Sequence, residues 1–155
     1  MEWNLKQFDQ LSSLEVYEIL RFRNEVFIVE QKCPYQDIDD KDKYSYHLFS
    51  KDEQGKICAY LRILDKGQTF DEISIGRVII RKDKRGAGLA KQMMLKAIEF
   101  IESVLGEHKI RIGAQAHLRD FYRGVGFIPC SAVYLEDNIP HIEMVYCKNS
   151  PLENS

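Results

Sequence analysis

Apolar residues along the chain change their spacing several times, and each change marks an element. Leu14, Val16, Ile19, Leu20 and Phe22 recur at helical spacing behind Ser12-Ser13, with Glu15 in the first turn. This predicts a capped helix over residues 13–27. Residues 30–46 hold Pro34, many Asp and Lys and little apolar periodicity, which reads as an irregular loop with room for one helical turn. Strand patterns follow at 46–50 and 57–64, joined by Asp52-Glu53-Gln54-Gly55 as a hairpin, and the second is apolar enough to be central. Residues 73–81 are β-branched and mostly apolar, a buried strand that runs straight into Lys82-Asp83-Lys84-Arg85-Gly86-Ala87-Gly88.

From Leu89 the period becomes helical again. Met93, Ala97, Ile98, Ile101 and Leu105 mark an amphipathic helix that Gly106 can close with a left-handed cap. Residues 110–116 alternate as a strand, 118–124 form a short helix closed by Gly124 and Gly126, and 127–135 with 141–147 form a hairpin. A strand–helix–strand crossover lies in the middle, so the fold class is a mixed α/β sheet. No repeat or linker divides the sequence, which predicts one domain over residues 1–147 and a loose tail over 148–155.

Composition narrows the partners. With 22 Lys and Arg against 24 Asp and Glu, the formal charge is −2, and no basic field exists to gather nucleic acid. Apolar runs such as Val78-Ile79-Ile80 are too short to span a bilayer, and the first residues lack a signal-peptide layout. The expected location is the cytoplasm, away from membranes. Cys33, Cys58, Cys130 and Cys147 show no CxxC spacing, which argues against a zinc knuckle or redox pair; apolar contexts predict Cys58, Cys130 and Cys147 buried and Cys33 exposed. His and Cys separations show no HxH or HExxH pattern, so no metal is expected.

The turn Arg85-Gly86-Ala87-Gly88-Leu89-Ala90 stands between a strand and a helix. A helix start leaves unpaired N–H groups with partial positive charge, and small residues let a phosphate approach them. By itself the turn is equally compatible with a tight structural connection. A P-loop needs Gly-Lys-Ser/Thr, whereas Gly88 precedes Leu89-Ala90; a Rossmann fingerprint needs a further Gly and a later acidic residue. Nucleotide hydrolysis and hydride transfer are therefore disfavoured.

Asp83-Lys84-Arg85-Gly86-Ala87-Gly88 resembles the pyrophosphate-binding motif of the GNAT superfamily of acetyltransferases, Gln/Arg-x-x-Gly-x-Gly/Ala, with Asp83 where Gln or Arg is usual; the pattern also fits from Arg85. Residues 23–35, Gly76-Arg77-Val78, Ala114-Gln115-Ala116-His117-Leu118, Phe121-Tyr122, Gly126-Phe127 and residues 136–144 together resemble the ElaA-type branch of that superfamily. Asn138 replaces a usual Gly, a mild change because Asn tolerates the left-handed turn.

The resemblance implies a GNAT-like twisted mixed sheet of about six to seven strands flanked by helices, with central strands splayed for acyl-CoA. It implies an N-acetyltransferase passing acetyl from acetyl-CoA, its co-substrate, to a primary amine on a small molecule or peptide within a ternary complex. Val78, Ile79 and Ile80 would offer main chain to the pantetheine arm. Arg85, Gly86, Ala87, Gly88, Leu89, Ala90 and Lys91 would bind the pyrophosphate. A strand bulge near Gly76 would aim an N–H at the thioester oxygen, and Tyr122 would protonate the departing thiolate. Many relatives dimerise, which leaves a homodimer open. For the base that deprotonates the amine, Glu30, His47, His117, His141 and Glu136 are all candidates, beside a water chain or proximity alone. Arg23, Arg62 and Arg77 read as ion-pair partners, and Asp37, Asp39, Asp40 and Asp42 as a solvated run or a lure for a cationic amine. The alternative function is a non-catalytic acyl-CoA sensor of the same fold.

Overall fold

The computed structural model describes residues 2–148. Strand β1 (Asn4–Gln7) leads to helix α1 (Ser13–Arg23), whose start is a capping box. Ser12 Oγ accepts the Glu15 N–H at 3.0 Å, and Glu15 Oε1 accepts the Ser12 N–H at 2.9 Å. The helix does not stop at residue 27. It widens into a π-helix over Asn24–Glu30, carrying Val26 and Phe27 into the core and Glu30 to its far end.

Strands β2 (Ser45–Lys51), β3 (Ile57–Leu64) and β4 (Ser74–Ile80) complete an antiparallel sheet in the order β1-β2-β3-β4. Helix α2 (Leu89–Ser103) crosses to β5 (Lys109–Gln115), and α3 (Arg119–Gly124) leads to β6 (Ile128–Pro129), β7 (Tyr134–Glu136) and β8 (Ile139–Cys147). In this second antiparallel sheet β8 pairs with β5, β6 and β7. The two sheets touch where β4 and β5 begin, through a parallel bridge between Ile73 and Ile110 and a 3.0 Å bond from the Arg111 N–H to the Ile73 carbonyl. Beyond it β4 and β5 separate, and a cleft opens between them.

Every residue of β3 is buried, because helices cover both faces of its sheet. On one face Met93, Met94, Ala97 and Ile101 of α2 join Leu61, Ile63, Ile75, Ile112 and Met144. On the other, Ile19, Phe22, Val26 and Phe27 pack on Phe49, Tyr60 and Ile79. Truncating any such aliphatic side chain to Ala costs about 2–5 kcal/mol.

Several expectations are corrected. The described residues form eight strands rather than six to seven: β1 is a four-residue edge strand with a single apolar residue, too short to show a period. Residues 127–135 make two short strands, since Pro129 has no N–H to continue a ladder. Cys33 is buried, its Sγ donating to the Asp137 carbonyl, while Cys130 and Cys147 at the rim of the second sheet are exposed. Of the expected tail, Lys148 is tied down: its N–H bonds the His108 carbonyl at 2.8 Å and its Nζ lies 3.4 Å from Glu102. Residues 149–155 lie outside the described residues.

Candidate active site

At the end of β4 the chain makes a short turn and opens α2. Gly88 caps the helix at φ 78° and Gly86 stands at φ 87°, both left-handed, and a Cβ on either would meet nothing within 4 Å. The N–H groups of residues 88–91 donate to no acceptor among the described residues. Open space in front of four free donors at the positive end of a fifteen-residue helix fits a pyrophosphate. Arg81 holds Asp83 through bonds of 2.6 and 3.1 Å, so the acidic residue at the motif's first position is neutralised locally.

One strand earlier the β3–β4 register slips. Tyr60 faces Ile79 and Arg62 faces Gly76, so Arg77 and Val78 together oppose Leu61. The bulge sits just beyond Gly76, with Arg77 at φ 50° in the left-handed region where an L side chain costs about 1–2 kcal/mol. Its guanidinium is held in return. Nε donates to Asp37 Oδ1 at 2.8 Å, Nη2 to the Asp37 carbonyl at 3.1 Å, and the group lies over the Tyr35 ring at 5.5 Å.

Behind Arg77 lies a buried network. Fully buried Arg23 donates to Asp37 at 2.9 Å and to Asp42 at 2.6 Å, and Arg62 bridges Asp42 and Asp39. Burial opposes the charge on Asp39, but its bonds to Arg62 and the fields of Arg77 and Arg23 win, holding it at about 2. The acidic run is thus largely internal ion pairing; Asp40 alone of the four faces solvent, beside Lys43.

The cleft between β4 and β5 has a volume of about 430 Å³. Val78, Tyr122 and His141 all line it. Tyr122 is buried among Phe121 and Phe127, and its hydroxyl makes no hydrogen bond to any described residue. Burial raises its pKa above the ordinary 10.0. His141, buried and stacked on Tyr134, has Nδ1 2.7 Å from the Ile139 carbonyl. A carbonyl only accepts, so Nδ1 carries a proton and in the neutral ring Nε2 is the acceptor; Glu136 Oε2 lies 3.5 Å from that nitrogen.

The other candidate bases are elsewhere. Glu30 makes bonds of 2.8 and 3.2 Å to Arg85, whose Nε also donates to the Ile80 carbonyl. His47 is buried between the Tyr60 hydroxyl and the Asp42 carbonyl, and burial lowers its pKa. His117 is exposed on the turn before α3. Of the proposed pantetheine contacts, only Val78 lines the cleft; Ile79 and Ile80 send their side chains into the two cores. The sequence marked Arg77 as an ion-pair partner but not Asp37 as its acceptor or its left-handed backbone, since no local pattern joins positions 40 residues apart.

Against this geometry stand the comparisons. A family model described as an acetyltransferase (GNAT) domain matches residues 10–148. The chain belongs to the GNAT acetyltransferase family. Within that family it is similar to the protein ElaA of Escherichia coli K12, 40% identical over 146 residues that span 93% of this chain and 95% of the relative. Among solved structures, an acyl-CoA N-acyltransferase of Pseudomonas aeruginosa superposes with a TM-score of 0.88 at 39% identity, covering 95% of this chain and 100% of that one. The crystal structure of E. coli ElaA gives 0.87 at 39% identity over 94% and 99%. Membership makes this GNAT chain an acyl-CoA-dependent acyltransferase. Among its described residues, no helix is long and apolar enough to cross a membrane.

Proposed function

We propose that the protein is an N-acetyltransferase that moves the acetyl group of acetyl-CoA to a primary amine. One observation carries the reading: the free N–H cradle at α2 follows directly on the bulged strand β4, whose Val78 faces Tyr122 and His141 across one cleft. Acetyl as the donor group is supported by the family's description. As a substrate, acetyl-CoA brings an acyl carbon already activated by its thioester.

The chain's residues divide the remaining work. The N–H groups of residues 88–91 bind the pyrophosphate, with Gly86 and Gly88 giving room, while the unpaired edge of β4 takes the pantetheine arm in strand fashion. Arg85, already tied to Glu30, flanks the cradle, and exposed Lys91 adds positive charge. As the amine nitrogen bonds to the acyl carbon and the carbon–sulfur bond breaks, His141 Nε2 accepts the amine's proton and Glu136 stabilises the resulting imidazolium. Tyr122 Oη gives its proton to the departing sulfur. Burial keeps this phenol protonated throughout the neutral range, so the proton is present to give when the sulfur departs.

A panel of primary amines (small polyamines, amino acids and peptides) incubated with protein and acetyl-CoA, followed by release of free thiol, tests the reading. Turnover on one class, reduced in His141→Gln, is expected. Tight acetyl-CoA binding without turnover on any amine would instead mark the non-catalytic sensor.

A further inference from the structure

The left-handed residue in β4 is an arginine whose side chain is fully engaged by the loop beside the cleft. That loop is held by shared contacts: Asp37 is shared between Arg77 and the fully buried Arg23, and Tyr35 donates its hydroxyl to the same carboxylate at 3.1 Å while its ring lies against the Arg77 cation. Register on both sides of the bulge demands that two residues oppose Leu61, so some bulge must form. Its form remains to be chosen. A first bulge residue in the right-handed region and one in the left-handed region turn the next N–H in different directions, and an L residue left to itself prefers the former.

We propose that Arg77 is a positioning residue: clamped by Asp37 and Tyr35, it holds the β4 bulge in its left-handed form and thereby fixes the direction in which the Val78 main chain faces the cleft. This rests on the acyl-CoA reading of that cleft and adds a role to residues outside its chemistry. It also gives the acidic loop a purpose beyond its own stability, since Arg23 holds Asp37, Asp37 holds Arg77, and Arg77 sets the strand that would meet the thioester.

Glycine separates conformation from contact. Arg77→Ala removes the clamp and keeps the penalty on positive φ; Arg77→Gly removes the clamp and the penalty together. Carbonyl-labelled acetyl-CoA bound to each protein is read by isotope-edited infrared spectroscopy, with affinity measured in parallel by calorimetry. The thioester stretch is expected lowest in wild type, raised in Arg77→Ala, and returned toward wild type in Arg77→Gly, with dissociation constants within about threefold of one another because the pyrophosphate cradle is untouched. The same stretch in wild type and Arg77→Ala, or equal displacement in the Ala and Gly variants, would overturn the clamp. Failure of wild type to bind acetyl-CoA would strike the cofactor reading instead, so the two failures are distinct. Thermal melting of both variants, and Arg77→Lys as a third that keeps the charge without the fork, separate loss of the bulge from loss of the fold.

Discussion

At the scale of single residues, the site depends on side chains whose partners fix their chemical state. His141 donates from Nδ1 to a carbonyl, which fixes the neutral tautomer with Nε2 as the acceptor. Tyr122 has no competing acceptor among the described residues, and burial moves its pKa upward. Tyr122→Phe is expected to lower kcat by about 100-fold or more, the scale of a lost general acid, with acetyl-CoA affinity unchanged. The phenol's raised pKa also means that wild type does not lose this proton on passing pH 10.0, so no alkaline fall from this group occurs below that value. A phenylalanine variant with a rate within about threefold of wild type would remove Tyr122 from the mechanism. That Tyr122 lies at the cleft was legible in the sequence, because it follows strand β5 at the spacing the family resemblance implies. That His141 of the candidate bases shares this cleft was not, since only the fold brings residues 78, 122 and 141 together.

At the scale of elements, the loop between the π-helix and β2 is the surprise. Four aspartates within six residues read as a solvated run because periodicity carries no information about partners 14 to 40 positions away. In the fold they meet Arg23, Arg62 and Arg77, and His47 sits beneath them, neutral and buried. Two pH windows follow. Since the folded pKa of His47 lies below the ordinary 6.5, the unfolded chain takes a proton that the folded one refuses, and stability falls as pH drops below that value. Asp39 acts in the same direction at lower pH: its contribution is complete above the ordinary 3.8 and is lost as pH falls toward about 2. Urea unfolding across this range should show decline beginning near pH 6.5, and His47→Gln should flatten the upper part alone. A stability curve level down to pH 4 in wild type would contradict the neutral buried histidine. Elements with strong periods were legible: α2, β3 and β4 stand within a residue or two of where apolar spacing put them. β1 was not, for want of length; the bulge was expected near Gly76 from the family resemblance and lies just beyond it, but the left-handed place of Arg77 in it was not foreseen, because a register slip depends on both strands at once.

At the scale of the whole molecule, the divergence of β4 and β5 organises everything else. Two antiparallel sheets meet at one bridge, and the space they leave is lined by Tyr122 of α3, by Tyr35 and Asp39 of the acidic loop, and by Tyr134 and His141 of the second sheet. The strand–glycine turn–helix succession was visible in the sequence, whereas the far wall of the cleft is built from loops and hairpin residues whose meeting no local pattern announces. The proposed acetyl transfer depends first on acetyl-CoA entering at α2. Titration calorimetry of acetyl-CoA into wild type and Gly86→Glu tests this directly, because the substitution adds negative charge and an L side chain at φ 87° where the phosphates would lie. Saturable binding by wild type, weakened at least about tenfold in a variant that melts like wild type, is the predicted result. Absence of binding by folded wild type, or equal binding by both proteins, would contradict it.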